Sequence, residues 1–367
     1  MSIFFANPKA GFQDKKNQIL KKISSFIDSG EYVLGSQVKE FEKKFNQFLN
    51  NHGYFVSCAN GTDAITLALF AHDISSGYVI TPSHTAPASI LGIINAGCKP
   101  LFVDVDPDTA LLCINEVREK LRNKPNIKAI LAVHLYGNGI NIPKLNKVAR
   151  SYNCIVIEDC AQSAGTQILG KYAGTLSNAG TFSFFPTKNL AALGDGGGVW
   201  VSNKKLQTKI ESLRQYGWNK NRVVKVANGM NSRLDELQAV VLQIRLKDLK
   251  RDIQKRRNIA KIYDLNLSSY FERLTYPDFQ FCSFHLYVVK VKHRKKLMNY
   301  MKKHNIFLGI HYTPPNHLNG LLSKFSAKLP ITELLSKEVV SLPIHPELGS
   351  KTQMKIIKTL NNFEDTL

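Results

Sequence analysis

Three short segments carry side chains whose chemistry goes beyond packing. Thr181–Gly198 reads TFSFFPTKNLAALGDGGG: a strand ends at a loop holding Lys188, and a glycine-rich turn leads into the next strand. A lysine amine attacks a carbonyl only in its neutral form, so Lys188 becomes a nucleophile where its surroundings lower its pKa. Elsewhere it is a solvated loop lysine. The glycines would let the backbone approach a ligand closely. Cys154–Gly165, CIVIEDCAQSAG, runs an apolar strand straight into Glu158 and Asp159. A carboxylate at that point serves a metal, acid–base chemistry or a buried cation, and no second cluster with metal-ligand spacing accompanies the pair. Asn60–Ala68, NGTDAITLA, follows the strand YFVS. Gly, Thr and Asp at a helix start offer free N–H groups and a hydroxyl, which hold a phosphate or simply cap the helix.

Together these segments answer three demands of one cofactor. Pyridoxal 5'-phosphate needs a Schiff-base lysine, an acid that keeps its pyridine nitrogen protonated so that the ring acts as an electron sink, and a phosphate cradle. The segments must then end strands of one sheet. Candidate strands are Tyr54–Ser57, Tyr78–Thr81, Pro100–Val103, Lys128–Val133, Cys154–Glu158, Gly180–Phe184 and Gly198–Ser202. Between them, Thr62–His72, Pro87–Ala96, Asn115–Arg122 and Pro143–Tyr152 place apolar residues at helical spacing. Such alternation implies crossovers, and so an α/β fold with a mostly parallel seven-stranded sheet whose functional residues gather at the strands' carboxyl ends. The expected organisation is a large cofactor-binding domain with N-terminal helices over residues 1–232, a long connecting helix over 233–263, and a smaller C-terminal α/β domain over 264–367. In the last, strands are expected at Leu286–Val291 and Ile306–Ile310, and helices at Lys295–His304 and Gln353–Phe363.

On these motifs the sequence resembles the DegT-type nucleotide-sugar aminotransferases, fold type I pyridoxal phosphate enzymes. The likeness runs from about Gly30 (GEYVLGSQVKEFEKKF) to SLPIHPEL near Ser341, and IEDCAQSAG, FSFFPTKNLAALGDGGG and GMNSRLDELQA are its most specific pieces. It implies that Lys188 is the Schiff-base lysine and general acid/base, that Asp159 pairs with the pyridine nitrogen and that Gln162 lies near the ring or its hydroxyl. Gly61, Thr62 and Ser183 would hold the phosphate, and Asn231 would reach it across a homodimer interface. His84, in PSHTAPAS, takes the place where the family often stacks an aromatic residue on the ring; a polar loop histidine capping the next helix is the alternative. HYTPPNH, with His311, Tyr312 and His317, resembles the segment near the substrate, or is a proline-shaped turn. The implied reaction is ping-pong: an amino acid, by family habit L-glutamate, leaves its nitrogen as pyridoxamine phosphate, and a keto-sugar nucleotide accepts it. PTKNLAALGDGG is more similar to members that aminate a dTDP-linked 3-keto-6-deoxyhexose than to those acting at C4 of a 4-keto sugar. A regulatory cofactor-binding member of the family is a further alternative.

Composition narrows the partners. The 49 Lys+Arg against 28 Asp+Glu leave +21, which first suggests nucleic acid. That surplus is concentrated: residues 204–332 alone hold 26 basic and 8 acidic residues. KVKHRKKLMNYMKKH reads as the solvated face of a helix, no recognised nucleic-acid motif is present, and nucleic acid is not expected as a partner. No apolar run reaches the roughly 18–20 residues of a spanning helix and no secretion signal opens the chain, so neither a membrane nor export is expected. Cys58, Cys98, Cys113, Cys154, Cys160 and Cys282 form no C-x-x-C pair and read as reduced thiols of a cytoplasmic protein.

Overall fold

All seven strands expected of the large sheet form. In the computed structural model, which describes residues 2–366, they are β1 (Tyr54–Cys58), β2 (Tyr78–Pro82), β3 (Lys99–Val103), β4 (Ile127–Val133), β5 (Ile155–Asp159), β6 (Ala179–Ser183) and β7 (Gly197–Val201). They lie in the order β1-β7-β6-β5-β4-β2-β3. Only β7 is antiparallel to its neighbours, so the other six send their carboxyl ends to one edge. The apolar stretches between them give crossover helices, including α2 (Gly61–Ala71) and α3 (Pro87–Asn95). Burial on nearly every side of α2, from Ala64 to Ala71, explains its lack of a polar face.

Ahead of the sheet, α1 (Ser36–Phe48) buries Val38, Phe41 and Phe45, spaced three and four residues apart. The Phe45 ring meets Phe55 of β1 at 4.6 Å, Phe182 of β6 at 5.2 Å and Phe184 at 5.4 Å. This aromatic cluster fixes β1, β6 and the chain entering the Lys188 loop against one helix. The start of α1 is held by Glu236, whose carboxylate accepts from the amides of Gln37 and Val38 at 2.9 and 3.1 Å, a favourable charge at a helix N-terminus.

The expected long helix is two helices. α4 (Glu236–Leu246) and α5 (Leu249–Asn266) are separated at residues 247–248, where the Asp248 amide bonds back only three residues to Arg245. The Asp248 carboxylate pairs with Lys15 at 2.8 Å and Arg251 at 3.0 Å instead, a short polar side chain competing with the helix at its start. Beyond α5, β8 (Glu272–Arg273), β9 (Tyr287–Lys290) and β10 (Val339–Leu342) make a separate antiparallel sheet. The strand expected over Ile306–Ile310 is only Ile306–Phe307 long. It pairs in parallel with Ile3–Phe4, so the first described residues join the C-terminal section rather than the large sheet.

Two polar ties bind the sections. Asp104, just after β3, accepts from the amides of Ile331 and Thr332 and from the Thr332 hydroxyl at 2.7–2.9 Å. Asn316 donates to the carbonyls of Ser83 and Thr85 at 3.0 and 2.8 Å. Among the described residues no helix is long and apolar enough to cross a membrane, and the six cysteines are free. Phe45→Ala should cost about 3–5 kcal/mol of stability, read as a lower urea midpoint with little change in m-value.

Candidate active site

A cavity of about 220 Å³ opens at the carboxyl edge of the large sheet, and Gly61, Thr62, Asp159, Gln162, Ser183 and Lys188 all line it. β5 accounts for the acid. Successive strand residues face opposite sides, and the two carboxylates that sequence left unresolved separate accordingly. Asp159 lines the cavity, accepting from the Ser89 hydroxyl at 2.7 Å and the Ala161 amide at 3.0 Å. Glu158 faces away and accepts from the amides of Gly174 and Leu176, the Ser177 hydroxyl and His134, all at 2.8–3.0 Å. His134 accepts the Ile140 amide on Nδ1, which leaves Nε2–H to donate to Glu158. His134, Glu158 and Cys160 come within ligand reach of one another, yet the carboxylate is filled by donors, and burial holds the Cys160 thiol well above its usual pKa. Glu158 therefore anchors a loop.

At the start of α2 the Asn60 side chain caps the Asp63 amide at 2.9 Å, and the Ala64 amide bonds to the Asn60 carbonyl. The amides of Gly61 and Thr62 are left without a helix carbonyl, beside Ser183. A Cβ on Gly61 would lie 2.7 Å from the Ser183 Cβ, so only glycine permits this approach. The glycine-rich turn does not do what sequence suggested. A Cβ on Gly197 would fall 2.4 Å from the Asn60 carbonyl carbon, so that glycine lets β7 pack on the cap rather than on a ligand.

Lys188 sits on a loop closed by hydrogen bonds from its own amide to the Phe185 carbonyl and from the Ala192 amide to the Phe184 carbonyl, both 2.8 Å. Asn189 ties the loop to the Ser283 carbonyl at 3.0 Å. Burial lowers the lysine pKa to about 8, against an opposing pull from the Asp159 charge. Its neighbours are held neutral: burial first, then the charge on Lys188, puts His311 at about 4 and drives His285 well below its usual value. The amine thus has a large neutral fraction near neutral pH.

The other expected residues are placed less directly. Gln162 accepts the Tyr136 amide at 2.8 Å and donates to the Tyr312 hydroxyl at 2.6 Å, so Tyr312 reaches the cavity wall through it. His311 bonds Ser341 at 2.8 Å. His84 is fully buried outside the cavity lining, with Nε2 2.8 Å from the Tyr136 hydroxyl and no partner on Nδ1; it caps no helix. His317 is fully buried between Ser83 at 2.8 Å and Glu333 at 3.4 Å. With both ring nitrogens engaged it fastens the 311–317 segment to β2 and faces no substrate. Asn231 is exposed and does not line its own chain's cavity, while its neighbour Ser232 donates to Asp63 at 2.6 Å. Sequence reading missed Ser89, Tyr136 and His285. Nothing in their spacing points to Asp159, Gln162 or Lys188, and only the left-handed Tyr136 backbone (φ 61°) marks the site locally.

The residues fit the cofactor that the motifs imply: free amides and a hydroxyl for a phosphate, an anchored carboxylate for a ring nitrogen, and a buried amine of lowered pKa for an aldehyde. Sheet, lysine loop and anion-ready helix define a transferase of the fold type I class. The chain belongs to the DegT/DnrJ/EryC1/StrS aminotransferase family, whose profile matches residues 13–361. It is 39% identical over 351 residues to the dTDP-3-amino-3,6-dideoxy-alpha-D-galactopyranose transaminase of Aneurinibacillus thermoaerophilus, covering 95% of this chain and 96% of the other. S. venezuelae DesV, solved in complex with a ketimine intermediate, superposes with a TM-score of 0.95 at 30% identity, over 100% of this chain and 99% of that one. NtdA of Bacillus subtilis, solved with bound cofactor PMP, gives 0.87 at 28% identity, over 95% and 81%.

Competitive acylation followed by mass spectrometry should find Lys188 half-maximally reactive near pH 8, against about 10.4 for surface lysines. Asp159→Asn removes the charge that raises the lysine pKa, so its midpoint should move lower still.

Proposed function

We propose that this protein is a pyridoxal phosphate-dependent aminotransferase that moves an amino group from an amino acid, L-glutamate in the first instance, to a nucleotide-linked keto-6-deoxyhexose at C3. The observation that carries the reading is Lys188, an amine of lowered pKa in the same cavity as an anchored Asp159 and the free amides of Gly61 and Thr62. When bound, the cofactor supplies the aldehyde carbon that carries nitrogen between the two substrates and the ring that withdraws electrons from the reacting carbon. Lys188 holds and returns the proton that moves between substrate carbon and cofactor carbon, a role suited to a group whose pKa lies near the working pH. Asp159, kept from rotating by Ser89 and Ala161, faces a positive ring nitrogen. Gly61, Thr62 and Ser183 hold the phosphate. Gln162, fixed from both ends by Tyr136 and Tyr312, orients the ring's polar edge.

The 39% identity to a transaminase named for a 3-amino-3,6-dideoxy sugar supports amination at C3 of a dTDP-linked sugar; a 4-keto acceptor is the competing reading. A homodimer is part of the proposal. Exposed Phe185 and Leu193 flank the Lys188 loop, an apolar surface suited to a partner, and exposed Asn231 would complete the partner's phosphate site. A cytoplasmic location goes with it, as does a steering role for part of the basic surface of residues 204–332.

Borohydride should fix the cofactor to Lys188 as a mass adduct, and Lys188→Ala should lose both the adduct and turnover by at least about 10²–10⁴-fold. A variant that keeps its yellow colour and its rate would overturn the assignment. Offered 3-keto and 4-keto nucleotide sugars with glutamate, the enzyme should aminate C3, located by NMR; product only at C4 would reverse the regiochemistry. Raising salt should raise KM for the nucleotide sugar more than for the amino donor, and equal effects would reject steering.

A further inference from the structure

Lys188 also forms part of the wall of a second, smaller cavity of about 30 Å³, shared with Arg245, Arg256, His345 and Glu347. That volume exceeds the roughly 10–15 Å³ a single water needs and matches the two oxygens of a carboxylate. Both guanidiniums are deeply buried, Arg245 9% and Arg256 7% exposed. Among the described residues neither forms an ion pair. Arg256 donates from Nη1 to the carbonyls of Phe284, His285 and Ile344 at 3.0–3.2 Å, and Arg245 bonds the Gly11 carbonyl and lies on the Phe12 ring at 4.8 Å. Carbonyls and a ring solvate these cations without neutralising them. The one carboxylate in the wall, Glu347, lies 3.5 Å from His345. Burial lowers Arg256 only to about 10, so it stays charged at neutral pH. Two buried cations facing one acid leave an uncompensated charge, which is costly without an anion.

We propose that this pocket receives the α-carboxylate of the amino donor, held by Arg245 and Arg256, and so presents the donor's amine beside Lys188. This rests on the aminotransferase reading above. The α-carboxylate is the only anion one carbon from the reacting amine of every amino acid, and planar guanidiniums suit it. A sugar diphosphate is too large for the pocket.

The test uses the holoenzyme. In single-turnover bleaching of the yellow band, Arg245→Gln should raise the apparent Kd for L-glutamate, L-glutamine and L-alanine alike, by about 10–100-fold, the loss expected for a charged hydrogen bond. KM for the nucleotide sugar should stay within about twofold, and Arg245→Lys should recover part of the loss. Gly11→Ala keeps the charge but places a Cβ 2.6 Å from Arg245 Nη1, and it should weaken all three donors too. Independently of turnover, calorimetry should show 2-oxoglutarate, which cannot react with the yellow form, binding wild type and losing affinity in Arg245→Gln. Unchanged donor Kd, a loss confined to glutamate, or a parallel rise in acceptor KM would each overturn the assignment. If no amino acid bleaches the wild-type band, the aminotransferase reading fails instead, and 2-oxoglutarate binding that ignores Arg245 would sink the pocket separately.

Discussion

The alternation of side chains at the end of one strand governs most of this site. Glu158 and Asp159 are neighbours in sequence, yet β5 sends one into a buried knot of backbone amides and the other into the cavity. Had the register slipped by one residue, the loop anchor and the cavity acid would exchange places. Pairing on both sides, with β4 and β6, fixes that register. The loop over residues 171–177 depends on it, and so does the orientation of the acid that Lys188 faces.

The lysine is the second half of the same electrostatic arrangement. Burial favours its neutral form and Asp159 favours its charged form, and the balance leaves a pKa near 8 rather than at either extreme. The surrounding imidazoles add no competing positive charge because burial keeps His84 and His311 near 4. On the far side of the amine the electrostatics reverse, since Arg245 and Arg256 keep their charge. The reactive nitrogen stands between a carboxylate on one side and two cations on the other.

How much of this was legible in sequence follows from what each feature depends on. The seven strands were readable because each is a short apolar run closed by turn residues, and the three motifs because each lies within a dozen residues. The continuous helix over 233–263 was misjudged since apolar spacing persists through a break caused by ion pairs from Asp248 to Lys15, far away in the chain. His317 looked like a substrate contact because a histidine near two prolines is conspicuous; its partners, Ser83 and Glu333, are set by tertiary packing. Ser89 was invisible for the same reason, its partner being 70 residues further on.

The seam between the 311–317 segment and the end of β2 has a practical meaning. Asn316 grips the carbonyls of Ser83 and Thr85, and His317 grips the Ser83 hydroxyl, while Thr85 itself lines the larger cavity. A loop transplanted from a relative into 311–317 would therefore arrive without its socket unless residues 83–85 travelled with it. The two stretches form a single exchangeable cassette, split across more than two hundred residues of chain.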